Sequence, residues 1–216
     1  MKKHISLTLA IILSSGLLAG CGNNATVVTP AADTTTANTA EALEFTRGTA
    51  VDGVYSNDFS GIVFEVPEDW TVSTDEELAE VMGLGSEYLT DKAAESAELA
   101  KMTTIYDLMC SAPNGIDSVS IAYENAALEG VPDATAEEIA EAVSNSLITG
   151  TTLGYEKVGI ETRTLGSQEY VVLMMSAQQY GFIQTYYLRR VGDYCVTIIF
   201  TCQNDDLAVG LADCFK

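Results

Sequence analysis

Three sets of side chains in this sequence have types and spacings that catalysis or recognition can use. Glu76 and Glu80, and again Glu137 and Glu141, stand at i, i+4, so each pair shares one face of a helix. Two carboxylates at a set separation are what glycoside hydrolysis requires, and crowded acidic oxygens bind calcium weakly. No D-x-[DN]-x-[DN]-G loop is present, however. Asp75, Glu76, Glu77, Glu137 and Glu138 also fall where helices begin, and there acids complement the positive end of the helix dipole. They are read as solvated helix faces, with no metal and no cofactor assigned. The second set is Tyr170, Tyr180, Tyr186, Tyr187 and Tyr194 with Gln178, Gln179 and Gln184, flat rings and amides suited to sugars or peptides. Tyr186 and Tyr187 are adjacent in a strand and must point to opposite faces, so the set cannot form one platform. The candidate binding surface is therefore drawn from Tyr170, Tyr180, Gln184 and Tyr186 together with Glu76, Glu80, Glu137 and Glu141.

The third set is cysteine. Cys110, Cys195, Cys202 and Cys214 allow two bridges, but Cys195 and Cys202 are seven apart on one strand and face opposite sides. A bridge from either to Cys214, or four free buried thiols, both remain open. P-loop, GxGxxG, GxSxG, CxxC and SxxK patterns are absent, and the single His is His4. The expectation is a chain that is not an enzyme.

The chain has 216 residues with 31 Asp+Glu against 10 Lys+Arg, a formal charge of −21. A nucleic acid partner would be repelled, and none is expected. Met1-Lys2-Lys3-His4 followed by the 14-residue apolar stretch Ile5 to Leu18 reads as a secretory leader, too short for the roughly 20 residues of a spanning helix. Leu18-Ala19-Gly20-Cys21 resembles a bacterial lipobox, in which the Cys21 thiol takes a diacylglycerol and the chain is cut before it. Two acyl chains at roughly 0.8 kcal/mol per buried CH₂ hold a protein at a membrane. The expected organisation is residues 1–20 leader, 21–50 lipidated Cys21 and Thr/Ala-rich tether, and 51–216 globular domain, on the extracellular or periplasmic face of the cell membrane. The tether has six Ala, six Thr and almost no large apolar side chain from Ala25 to Ala42, and cannot offset chain entropy. Its 29 residues from Gly22 to Ala50 span on the order of 30 Å as a coil.

The elements that must position these residues follow from periodicity. Gly61 to Val66 is a strand closed by Pro67-Glu68-Asp69-Trp70, with Trp70 as a core plug. Thr74 with Glu77 and Thr135 with Glu138 are capping boxes opening helices to about Met82 and Ile148. Glu87 to Ala100 is a further helical candidate. Thr104 to Ser111 and Ser118 to Glu124 flank an Asn114-Gly115 turn as a hairpin. Four strands follow, Tyr155 to Leu165, Glu169 to Gln178, Phe182 to Arg190 and Tyr194 to Gln203, and Asn204 caps a last helix. Strands joined by short turns must be antiparallel, so the class is α+β with a central antiparallel sheet covered by helices.

This order, with Phe64-Glu65-Val66-Pro67-Glu68-Asp69-Trp70 as its sharpest local element, resembles the PsbP-like superfamily from about Tyr55 to Phe215. That is the fold of the extrinsic P protein of photosystem II and of the Ran-binding Mog protein, and it includes many bacterial lipoproteins. The resemblance implies an α/β/α sandwich and an adaptor or assembly role without shared catalytic residues. The expected function is a membrane-anchored binding or assembly module with an envelope protein as partner. The alternative is an envelope receptor for a sugar, peptide or cation.

The acids are unevenly placed. Glu65 to Glu98 holds eleven acids and one base, and Glu124 to Glu141 six acids and no base. From Tyr155 onward seven acids meet five bases. The charge belongs to the helical segments, either for solubility or as a docking surface for a basic partner.

Overall fold

The computed structural model describes residues 45–84 and 98–216. Its centre is a seven-stranded sheet, antiparallel throughout, in the order β4-β5-β6-β10-β9-β8-β7. The strands are β4 (Thr71–Val72), β5 (Thr104–Ser111), β6 (Ser118–Asn125), β7 (Glu156–Leu165), β8 (Gln168–Ala177), β9 (Phe182–Val191) and β10 (Tyr194–Cys202). β7 to β10 form the expected meander. A smaller antiparallel sheet, β1 (Thr49–Val51), β2 (Val54–Asn57) and β3 (Ile62–Glu65), is separate from it.

Side-chain alternation sorts the core onto two faces. On one, Val196, Ile198 and Phe200 of β10 and Val119, Ile121 and Tyr123 of β6 pack with Tyr55 and Phe64 of the small sheet. Leu78 of α1 (Asp75–Met82) and Leu211 of α3 (Asp205–Ala212) join them. On the other, Leu173, Tyr186, Leu188 and Cys195 pack under Ala140, Val143 and Leu147 of α2 (Ala136–Gly150). The expected α+β sandwich is present, with one refinement. The apolar strand at Ile62 belongs to a covering layer, because its hairpin with β2 buries Tyr55 and Phe64 against the main sheet from outside.

Local chemistry explains the helix starts. Thr74 and Thr135 accept from the backbone N–H of Glu77 and Glu138, and those glutamates accept in return from the cap N–H, each at 2.8 Å. Asn204 caps α3 through Leu207 N–H at 2.9 Å. Trp70 is half-buried against the first core face, as expected of a plug. The helical candidate Glu87 to Ala100 lies outside the described residues except for its end, where Leu99 is buried.

Packing starts earlier in the chain than the Val51 boundary expected from composition. The Phe45 ring lies 4.9 Å from Tyr123 and 5.1 Å from Tyr194, centroid to centroid, and Arg47 and Gly48 reach into the domain. The Phe45 ring, the Arg47 guanidinium and the Gly48 N–H tie this stretch to the fold.

Candidate functional site

The residue that sequence reasoning missed is Asp107. It sits where the β5–β6 register shifts between Tyr106 and Leu108, and this irregularity lets its side chain reach the small-sheet layer. The carboxylate is fully buried. Its Oδ1 accepts from Arg47 Nε at 3.1 Å. Its Oδ2 accepts from Gly48 N–H at 2.8 Å, Tyr55 O–H at 2.6 Å and Asn57 Nδ2 at 2.9 Å. Arg47 continues to Asp75 at 3.1 Å. The Asn57 Oδ1 takes the Ser60 N–H and hydroxyl, so the Tyr123 O–H, 2.7 Å from Ser60 Oγ, donates to it. Burial, and then the Asp107 charge, push Tyr55 and Tyr123 well above the ordinary tyrosine range. A carboxylate with this many donors is a structural hub that joins the first described residues of the chain to the central sheet. The signal was present in the sequence as one acid inside the otherwise apolar run Ile105-Tyr106-Asp107-Leu108-Met109.

A second buried polar knot lies under α2. Gln184 Oε1 accepts from Tyr155 O–H at 2.6 Å and Tyr186 O–H at 2.7 Å, and its Nε2 donates to Thr201 Oγ1 at 3.0 Å. Burial raises both tyrosines. This decides where most of the candidate tyrosine and glutamine surface stands. Tyr170 and Tyr186 are 2% exposed and Gln184 is 1% exposed, whereas Tyr180, at the turn after β8, is 53% exposed. Tyr170 and Tyr187 share one sheet face with rings 6.1 Å apart, and Tyr186 is on the other face. The Tyr170, Gln184 and Tyr186 side chains are thus interior and Tyr180 stands alone, because inward positions of β8 and β9 are covered on both sides.

The glutamates are outside. Glu76 and Glu80 of α1 and Glu137 and Glu141 of α2 are exposed, and Glu141 accepts from Lys157 Nζ at 2.6 Å. Glu124 differs from these four. It is half-buried on β6, and desolvation followed by the Glu129 charge pushes its carboxyl up to about 7. The thiols of Cys110, Cys195 and Cys202 are buried and free, and Cys214 is half-buried and free. Desolvation pushes the first three up to about 12, which suppresses the nucleophilic thiolate. Cys195 and Cys202 face opposite sides of β10, as their spacing required.

One open depression of about 480 Å³ lies where β8 and β9 part beyond the Val171–Leu188 pair, beside the N-terminus of α2. Arg190 crosses its wall and donates to the carbonyls of Ala134 at 3.3 Å, Pro132 at 3.1 Å and Gly192 at 3.0 Å. Arg189 turns to the other face, donating to the Ser60 carbonyl and stacking 5.3 Å over the Tyr170 ring. Both guanidinium groups are engaged by the protein itself.

No family model and no curated protein matches the chain. Among solved structures the chain is similar to cyanobacterial PsbP, CyanoP, from Synechocystis sp. PCC 6803, at 13% identity and a TM-score of 0.44, over 81% of this chain and 98% of that one. No role and no site residue is taken from this likeness.

Proposed function

We propose that this chain is a membrane-anchored module of the cell envelope that binds or assembles other proteins without catalysing a reaction. The carrying observation is how the polar chemistry is divided. Asp107, Gln184, the buried tyrosines and the thiols are absorbed by packing, while the acids of α1 and α2 face outward. What the domain offers a partner is therefore charge, and the partner it suits is a protein with a basic surface. The lipobox-like Leu18-Ala19-Gly20-Cys21 and the segment up to Phe45 support an anchored domain that stands off the membrane on a tether.

Fractionation tests the anchor. Cys21→Ala should leave an uncleaved precursor or release the protein from membranes, and unchanged mass and fractionation would refute the anchor. Cross-linking in the producing cell tests the partner, since a specific envelope protein should be recovered with the wild-type chain. Turnover of a substrate with no partner recovered would refute the assembly role.

The depression beside α2 favours a second reading, a receptor for a small ligand. A thermal-shift screen with sugars, peptides and divalent cations separates the two. A true ligand at 100 times its dissociation constant adds about 2.7 kcal/mol of stability.

A further inference from the structure

The outer edge of β7 is the one long strand edge among the described residues with no pairing partner. The other edges are short or occupied. β4 has two residues and β1 three, while β3 bonds to the chain end through Glu65 N–H to the Cys214 carbonyl and Lys216 N–H to the Val63 carbonyl. β7 instead runs ten residues, nearly all exposed or half-buried. An edge of this kind is a template for another strand unless charges or bulges spoil it.

The spoiling features of β7 are arranged in an unusual way. Its pairing with β8 shifts between Lys157 and Gly159, with Val158 63% exposed beside the shift, and is regular from Gly159 to Leu165. The midpoint of that regular stretch is Thr162. If two copies of β7 meet antiparallel about a two-fold axis perpendicular to the sheet, residue pairs must share a face, and the axis passes through one residue. With the axis at Thr162, Glu161 opposes Arg163 of the other copy and Arg163 opposes Glu161, while Ile160 opposes Thr164. Moving the axis to Glu161 or Arg163 sets like charges against each other, and moving it to Ile160 or Thr164 leaves Glu161 without Arg163. Glu161, Thr162, Arg163 and Thr164 are all exposed, and Glu161 and Arg163 already lie close enough to form an ion pair within one chain. An axis at Gly159 would set Lys157 against Glu161, but across the shifted pairing, so the axis at Thr162 is the one that opposes unlike charges wholly within the regular stretch.

We propose that β7 is a homotypic docking edge, through which two copies of this chain pair antiparallel along Gly159–Leu165 about a two-fold axis at Thr162. A ladder this short buries less than a standard stable interface, so the pairing is transient in dilute solution and gains from copies held at high local concentration. The inference rests on the edge geometry and stands apart from the identity of any envelope partner.

Cysteine cross-linking of the full chain in its producing cells, with diamide as oxidant and non-reducing electrophoresis as readout, tests it. Thr162→Cys places each new thiol opposite its own copy, roughly 4.5–5.5 Å apart at the β-carbons. Thr164→Cys places them four residues apart along the strand, about 13 Å, beyond disulfide reach. The expected result is a disulfide dimer for Thr162→Cys at several times the level seen with the wild-type chain or with Thr164→Cys. Adding Glu161→Arg should lower that yield about tenfold by setting like charges opposite each other twice, and adding Arg163→Glu as well should restore it. Equal yields from Thr162→Cys and Thr164→Cys, no dimer above the wild-type level, or no effect of Glu161→Arg would each overturn the proposal. The restoring variant guards against loss through misfolding.

Discussion

Each face of the central sheet buries a polar knot, and the two knots are built on opposite principles. Beneath β1–β3 the acceptor is the Asp107 carboxylate, ringed by Arg47, Gly48, Tyr55 and Asn57. Beneath α2 the acceptor is the neutral Gln184 amide, shared by Tyr155 and Tyr186. A buried charge is tolerable only when its lone pairs are filled, and the donors at Asp107 come from segments about 50 to 60 residues away in sequence. The charged knot therefore binds the start of the domain to its middle. The neutral knot links strands that are already hydrogen-bonded neighbours, apart from Tyr155 at the mouth of β7. The difference teaches that the hold on residues 45–48 depends on one carboxylate, whereas the α2 face depends on area.

The largest effect should come from breaking the charged knot. Asp107→Ala leaves Tyr55, Asn57 and the Gly48 N–H without their acceptor, and should cost on the order of 3–4 kcal/mol in denaturant unfolding. It should also make the chain near Phe45 to Gly48 accessible to protease. A loss under 1 kcal/mol would remove the hub role. Gln184→Met keeps volume but orphans the Tyr155 and Tyr186 hydroxyls, and should cost about 2 kcal/mol without exposing the Phe45 region. If both variants loosen the same region, the two knots are not independent.

Glu124 sharpens the comparison through pH. Its folded carboxyl is pushed up to about 7 from an ordinary 4.5, so it holds its proton in the folded state while the unfolded chain releases it. The stability it allows is present below about pH 4.5, is lost as pH rises through about 7, and is flat beyond. Glu124→Gln should therefore raise stability by about 1–2 kcal/mol at pH 8 and leave it nearly unchanged at pH 4, in unfolding measured at both values. The difference between the two chains isolates Glu124 from the general repulsion of an acidic protein. An equal shift at both pH values would contradict the assignment.

The parts of the fold legible in the sequence were those with local causes. Thr74 with Glu77 and Thr135 with Glu138 announce their helices, and the alternation of β7 to β10 announces the meander within a residue or two at each end. The β1–β2 hairpin carries no such periodic signal. Its strands are three and four residues long, and β1 is wholly exposed, so no hydrophobic period exists to detect. The local sign was Asp52-Gly53, both at positive φ, in the two-residue turn between them. The candidate site was less legible. Alternation correctly divided Tyr186 from Tyr187, but it cannot say that both sheet faces are covered, and so Tyr170, Gln184 and Tyr186 moved inward. Asp107 depended on partners far away in sequence, which no local pattern reveals.

The central claim, that the outward acids are this domain's working chemistry, is tested most directly by quantitative in-cell cross-linking. The wild-type chain is compared with a variant carrying Glu76→Gln, Glu80→Gln, Glu137→Gln and Glu141→Gln. The account predicts one specific envelope protein cross-linked to the wild-type chain and lost from the variant at unchanged thermal stability. Equal recovery of that protein by both chains would contradict it.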